Sequence, residues 1–150
     1  MFIKFMSRTV IIIPSRMAAK RLPGKPLLKL NNNTIITNVF KRAEKVDLGQ
    51  VYVATEDEAI YEEVKKNGGN CIMTEKRHNS GSDRIFEAIS NLNLQNIEYV
   101  INLQGDEPLI NPEDIKRLNS YVTLNNLDLG TLAANIDSEE KLKDNNIVKV

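Results

Sequence analysis

The chain has 150 residues, 27% charged and 41% hydrophobic, with 20 basic and 20 acidic side chains and a formal net charge of zero. That length suits one domain with a real core, and the composition excludes a disordered chain. The balanced charge argues against a general nucleic-acid binder. No apolar run approaches the roughly 20 residues of a membrane span. The N-terminal apolar run, ended by Pro14, is too short for a signal peptide. A single cysteine, Cys71, leaves no intrachain disulfide and no cysteine metal cluster. The expected compartment is reducing and cytoplasmic.

The predicted elements alternate between strand and helix. Residues 10–13, Val-Ile-Ile-Ile, are a continuous apolar run, the pattern of a strand buried on both faces. Residues 34–46 carry Ile35, Val39, Ala43 and Val46 at helical spacing, with Ile36 and Phe40 beside them. Residues 51–55 form a second strand. Thr55 with Glu58 reads as a capping box for a helix through Ile60 and Val64 that stops at Gly68. A short third strand covers 70–74. The helix at 82–92 places Ile85, Phe86, Ile89 and Leu92 on one side. A fourth strand covers 99–104. Asn111 and Pro112 start a helix with Ile115, Leu118 and Val122 on its apolar face. Residues 129–134 read as a fifth strand and 147–150 as the start of a sixth, inside which the sequence ends. This order predicts a doubly wound α/β domain with a mostly parallel sheet and right-handed crossovers.

Loops leaving the C-terminal ends of parallel strands share one edge, where ligands bind. Three unusual loops meet that condition, at 15–25, 75–84 and 105–108. The first carries Arg16, Lys20, Arg21 and Lys25, with Pro23 and Gly24 shaping its turn. No acid occurs before Glu44, so residues 1–43 carry nine positive charges and the remainder nine net negative ones. Guanidinium groups grip phosphate in a bidentate way and lysine adds a mobile charge, so the loop reads as a polyphosphate cradle. Lys20 by itself reads as solvated.

The second motif, Gln104-Gly105-Asp106-Glu107-Pro108, follows a strand. Asp106 faces the phosphate loop and is the candidate Mg²⁺ ligand, since Mg²⁺ takes one or two carboxylates plus substrate phosphates and waters. Glu107 has the alternative of capping the following turn. In the third motif, Ser80, Gly81 and Ser82 precede a helix and aim backbone N–H groups at the concavity. His78, the single histidine, reads as a structural hydrogen-bonding residue, and Cys71 as a small core residue. The Gly-rich signatures of dinucleotide and P-loop sites are absent.

Taken together and in order, PSRMAAKRLPGKPL, HNSGSDR and LQGDEP resemble the CMP-Kdo synthetases, the 3-deoxy-manno-octulosonate cytidylyltransferases of Gram-negative bacteria. The resemblance runs from about Thr9 to the closing NNIVKV. The pair RLPGKPL and QGDEP carries most of the specificity. The related CMP-sialate synthetases share the first loop's form but differ where QGDEP stands.

The resemblance implies a Rossmann-like nucleotidyltransferase, a three-layer sandwich with a mostly parallel sheet. Its activity would be transfer of CMP from CTP to Kdo with release of pyrophosphate, in lipopolysaccharide biosynthesis. It implies Arg16, Arg21 and Lys25 on the triphosphate and Asp106 on Mg²⁺, with Arg16, Lys25 and Asp106 as the catalytic set. Gln104 and the turn of Ser80, Gly81 and Ser82 would hold cytidine. It also implies a homodimer and no membrane or nucleic-acid partner. Family members are longer, so residues 1–150 are expected to be a single nucleotide-binding domain, the N-terminal part of a longer family domain. The sugar site, a second metal ligand and most dimer contacts would then lie beyond residue 150. The alternative reading is a fragment or module that binds a nucleoside triphosphate without turnover.

Overall fold

The computed structural model describes residues 8–18, 22–75 and 78–149. Its six strands and five α-helices are, in order, β1 (Thr9–Ser15), β2 (Lys29–Leu30), β3 (Asn33–Thr34), α1 (Ile35–Glu44), β4 (Val51–Thr55), α2 (Glu58–Lys66), β5 (Asn70–Met73), α3 (Gly81–Leu92), β6 (Tyr99–Asn102), α4 (Pro112–Leu124) and α5 (Glu139–Lys143). The chain divides into two compact units, residues 1–116 and 117–150.

The first unit holds a parallel four-stranded sheet in the order β5-β4-β1-β6. β1 is central because both of its faces are apolar. Val10, Ile11, Ile12 and Ile13 are all fully buried. Side chains alternate along a strand. Ile11 and Ile13 therefore pack with Ile36, Val39 and Phe40 of α1 and with Ile60 and Val64 of α2. Val10 and Ile12 pack on the opposite face with Ala54, Ile85 and Ala88. The result is helix, sheet, helix, the expected three layers.

From β1 the chain steps outward to β4 and β5, then returns by α3 to β6 on the other side of β1. Such a reversal of direction opens a crevice at the carboxyl ends of the strands. β1 overruns its neighbour there. Its pairing with β6 ends at Ile12 and Asn102, whereas pairing with β4 continues to Ser15 and Thr55. Ile11 N–H donates to Gln50 O on the β4 side, and Ile12 O accepts from Leu103 N on the β6 side. By alternation, Pro14 turns its amide-free nitrogen toward the side where β6 has already ended. A proline costs least there.

α1 is capped by Thr34, whose hydroxyl accepts from Thr37 N–H at 3.3 Å. Both threonine hydroxyls also donate to Glu63 Oε1, at 3.0 and 3.2 Å, tying the start of α1 to α2. β2 and β3 form a small antiparallel hairpin. Asn31 in its turn adopts φ 58°, the left-handed conformation asparagine tolerates.

Several expectations require correction. Thr55 does not cap α2. Asp57 holds the cap position, and Thr55 Oγ1 accepts from Asp57 N–H at 3.1 Å instead. Phe86 is 76% exposed, so the buried side of α3 is formed by Arg84, Ile85 and Ala88 rather than by Phe86. Residues 129–134 are not a strand, and neither are the described residues of 147–150. A strand exists only as part of a ladder, and no described residue pairs with either segment. Leu129 is 85% exposed and Val148 88%, so burial does not drive pairing. Gly, Ala and Asn in 130–135 add low β-propensity. Within the second unit, Gly130 folds against Val122, where an added Cβ would come to 2.4 Å of a methyl group.

Cys71 is half-buried in β5 against the core formed on the α1–α2 face. Desolvation pushes its thiol up to about 12, opposed by a backbone hydrogen bond and by Lys65. A raised value means the folded state holds the proton more tightly than the unfolded chain. The associated stability is therefore complete below the ordinary thiol value of 9.0 and is lost as pH rises through about 12. Denaturant titrations across pH 8 to 12 should show a loss of stability above pH 9 that is smaller in Cys71→Ala. Equal losses in both proteins would assign the pH effect to other groups.

Candidate functional site

The three loops do converge at the crevice beside the end of β1. Pro14 is the pivot. A Cβ on Gly105 would come to 2.9 Å of Pro14 O, and one on Gly81 to 3.3 Å of Pro14 Cγ. Glycine at these two positions lets the second and third loops close on the strand end. The partly open cavity between them measures about 160 Å³ and is lined by Pro14, Ser15, Arg16, His78, Ser80, Gly81, Arg84 and Gln104. A cavity of roughly 150 Å³ accommodates one benzene-sized ring.

The basic loop is fixed at its base. Met17 N–H donates to Asp57 Oδ2 at 2.7 Å. Gly24 N–H donates to Met17 O at 3.0 Å and closes the loop. Gly24 adopts φ 73°, which only glycine takes without strain, and delivers Lys25 into a short 3₁₀ turn. Lys25 Nζ then reaches Asp106 Oδ2 at 2.7 Å, across the crevice from the turn after β6. Lys25 is 34% and Asp106 53% exposed, so solvent screens the pair and it adds little stability. What it establishes is that a mobile cation and a carboxylate share one point at the sheet edge.

The turn after β5 is held by two anchors. Ser80 and Asp83 form a reciprocal capping box: Asp83 N–H donates to Ser80 Oγ at 3.1 Å, and Ser80 N–H to Asp83 Oδ2 at 3.0 Å. The amides of Gly81 and Ser82 lie in the first turn, where no intrahelical acceptor exists. Arg84, only 3% exposed, is the second anchor. It donates to Glu56 Oε2 after β4, to Thr74 Oγ1 and to Glu75 O after β5. His78 contacts Glu87 on α3, and Glu87 also accepts the Glu75 N–H on both oxygens, at 3.0 and 3.1 Å.

Of the expected site residues, Arg16, Ser80, Gly81 and Gln104 line the cavity. Lys25 and Asp106 meet each other. Gln104 Nε2 donates to Asn102 Oδ1 at 3.0 Å. Ser82 is exposed in the first turn of α3, outside the cavity lining. Arg21 lies outside the described residues. Sequence reasoning missed Asp57, Glu56, Arg84 and Glu87 as supports of the site. Arg84 had a readable signal, since it sits four residues before Ala88 on a buried helix face, where a cation requires a partner. The acid-rich run after β4, Thr55 to Glu58, pointed to the same edge.

Asp106 is a hard oxygen donor on an exposed turn, which fits Mg²⁺ shared with substrate phosphates. Among the described residues no group of three His, Cys, Asp or Glu side chains could hold a metal without such help.

The switch-point crevice, its cation-bearing loop and its facing carboxylate occur on the α/β fold of nucleotidyltransferases. A solved CMP:2-keto-3-deoxy-manno-octonic acid synthetase, complexed with CTP, superimposes with a TM-score of 0.74 at 39% identity, over 79% of this chain and 48% of that one. A nucleotidyl transferase from Methanothermobacter thermautotroptrophicus shares the fold at 16% identity, with a TM-score of 0.60. The cytidylyltransferase family model matches residues 10–150, and the chain belongs to that family. It is 47% identical to the 3-deoxy-manno-octulosonate cytidylyltransferase of Rhodopseudomonas palustris (strain HaA2), over 95% of this chain and 59% of that protein. The corresponding protein of Thermodesulfovibrio yellowstonii is 45% identical, over 95% and 58%. The chain thus spans a little under three fifths of the length of these relatives. No described helix is long and apolar enough to cross a membrane.

The Arg84–Glu56 pair is nearly dry, with side-chain exposures of 4% and 14%. Glu56→Ala leaves a buried guanidinium without its carboxylate and should cost about 3 kcal/mol. Breaking the exposed Lys141–Asp137 pair by Asp137→Ala should change stability by less than about 1 kcal/mol. Denaturant titration of the two variants checks the contrast; equal effects would show that Arg84 does not anchor the site.

Proposed function

We propose that this chain binds Mg²⁺ and CTP at the end of β1, and that it contributes the nucleotide site for CMP transfer to Kdo with release of pyrophosphate. The observation that carries this reading is the Lys25–Asp106 contact at 2.7 Å beside a cavity sized for one ring. Charge and space are arranged as a nucleoside triphosphate needs them. The base fits the cavity between the strand end and the Ser80–Gly81 turn. The phosphates extend toward Arg16 and Lys25, with Arg21 on the same loop. The names of the matched relatives supply the identity of base and sugar.

Phosphoryl transfer needs in-line positioning and charge neutralisation more than a protein nucleophile. On binding, Lys25 exchanges Asp106 for a phosphate oxygen, and Asp106 becomes free to ligate Mg²⁺. The metal supplies further neutralisation of the triphosphate when bound. Arg16 holds the phosphates from the cavity side. The amides of Gly81 and Ser82 and the side chain of Gln104 serve the nucleoside. The product, an activated sugar acid, suits lipopolysaccharide assembly.

A second reading is a module that holds the nucleotide without turnover. Coverage favours it: the chain spans a little under three fifths of the length of the relatives it matches. Pyrophosphate release from CTP and Kdo separates the two, since turnover by the 150-residue chain excludes the binding-only reading.

Calorimetry with CTP, UTP and ATP, each with Mg²⁺, should show a clear preference for CTP; equal affinities would remove the base assignment. Lys25→Ala should weaken Mg²⁺–CTP binding about tenfold or more, as expected when a charge-assisted contact is lost. Unchanged affinity would make the loop a surface feature. Asp106→Asn should reduce the dependence of CTP affinity on Mg²⁺, and an unaltered dependence would assign the metal to another carboxylate.

A further inference from the structure

Asp57 occupies the N-cap position of α2, yet its side chain makes no bond to the helix. Aspartate is among the best helix caps, so leaving the cap unmade gives up stability. The carboxylate is used elsewhere. Its Oδ2 accepts the Met17 N–H at 2.7 Å, from a residue forty positions back in the chain. A hydrogen bond to an ionised acceptor is roughly twice as strong as a neutral one.

The sheet explains why that amide needs a partner. Ile11 N–H donates to Gln50 O, and alternation sends the amides of Ile13, Ser15 and Met17 to the same side. The ladder between β1 and β4 ends at Ser15 and Thr55. Met17 lies one rung further on, and the Asp57 carboxylate receives its amide where a backbone carbonyl would have done so. The chain can then leave the sheet without an orphaned donor. Asp57 is itself tied to the end of β4, because its N–H donates to Thr55 Oγ1 at 3.1 Å.

Met17 is thereby held on three sides. Asp57 takes its N–H, Gly24 N–H donates to its carbonyl at 3.0 Å, and its side chain packs on the core between the sheet and the α1–α2 layer. Arg16 immediately precedes this clamp. Lys25 immediately follows Gly24, and its Nζ reaches Asp106. The two described cations assigned to the phosphates therefore hang from one fixed residue.

We infer that Asp57 is a positioning residue of the phosphate site: by holding the Met17 amide, its carboxylate sets where Arg16 and Lys25 stand before the nucleotide arrives. The inference rests on the nucleotide reading above and adds a residue that need not touch the ligand. A loop fixed in advance loses less freedom when it grips a polyphosphate.

Asp57→Ser and Asp57→Asn test this together. Serine caps a helix as well as aspartate, but its oxygen stands one bond closer to the backbone and falls short of Met17. Asparagine keeps an acceptor oxygen at the same reach. In Asp57→Ser the new cap offsets the lost contact, so the thermal midpoint of the ligand-free chain should stay within about 4 °C. The Met17 and Gly24 amides should exchange with solvent about tenfold faster or more. The Kd for Mg²⁺–CTP should rise about three- to tenfold, and that for Mg²⁺–tripolyphosphate by the same factor, because the loop serves the phosphates. Asp57→Asn should recover most of both losses. A midpoint of Asp57→Ser lowered by more than about 4 °C would assign the carboxylate to folding and overturn the inference. So would unchanged affinities beside faster amide exchange, which leave the nucleotide reading intact. Equal losses in the two variants would place the effect in charge rather than reach, and would overturn it as well. If the unaltered chain binds neither CTP nor tripolyphosphate, the nucleotide reading and the inference fail together.

Discussion

The site depends on one strand extending further than its neighbour. β1 is buried on both faces and pairs with β4 to Ser15, but β6 leaves it at Ile12. The last three residues of β1 therefore run past β6, and Pro14 and Ser15 line the crevice at the switch in strand order. Pro14 suits that projection because no amide is left seeking a partner on the open side. Gly81 and Gly105 then close on Pro14 from the turns after β5 and β6. A Cβ at Gly105 would clash with the Pro14 carbonyl, and one at Gly81 would press on the Pro14 ring.

Around that strand end, stability and function draw on different interactions. The Arg84 network is buried and links the turns after β4 and β5. Its removal would leave a desolvated charge, so it fixes geometry. The Lys25–Asp106 pair is exposed and contributes little to folding. Its groups can change partners at small cost, which is what a site needs if a polyphosphate and a metal are to replace a protein contact. Asp57 stands between the two roles: it caps α2 in position only, and spends its carboxylate on the amide of Met17 in the basic loop.

Much of the first unit was legible in the sequence. The unbroken apolar run in β1 announced a strand buried on both faces, and the helical spacing of Ile35, Val39 and Ala43 gave α1. Once the elements alternated, chain topology placed three loops on one edge without any knowledge of contacts. What stayed hidden had tertiary causes. The pattern at 129–134 looks like a strand locally, but strands need a ladder partner, and that requirement is not local. Phe86 fits the helical stripe, yet Arg84 occupies the buried face because Glu56 and Thr74 satisfy it there. The role of Asp57 could not be read from its neighbours either, since its partner lies forty residues away.

The central claim is that the projecting end of β1 and the turns closed on Pro14 form the nucleotide site. Amide chemical-shift mapping by NMR, with Mg²⁺–CTP titrated into the labelled chain, tests it most directly. The account predicts that the largest changes fall on Ser15, Gly81, Ser82, Gly105 and Asp106, with little change in the β2–β3 hairpin or along α2. Changes concentrated in those distant elements, or none at saturating nucleotide, would contradict it.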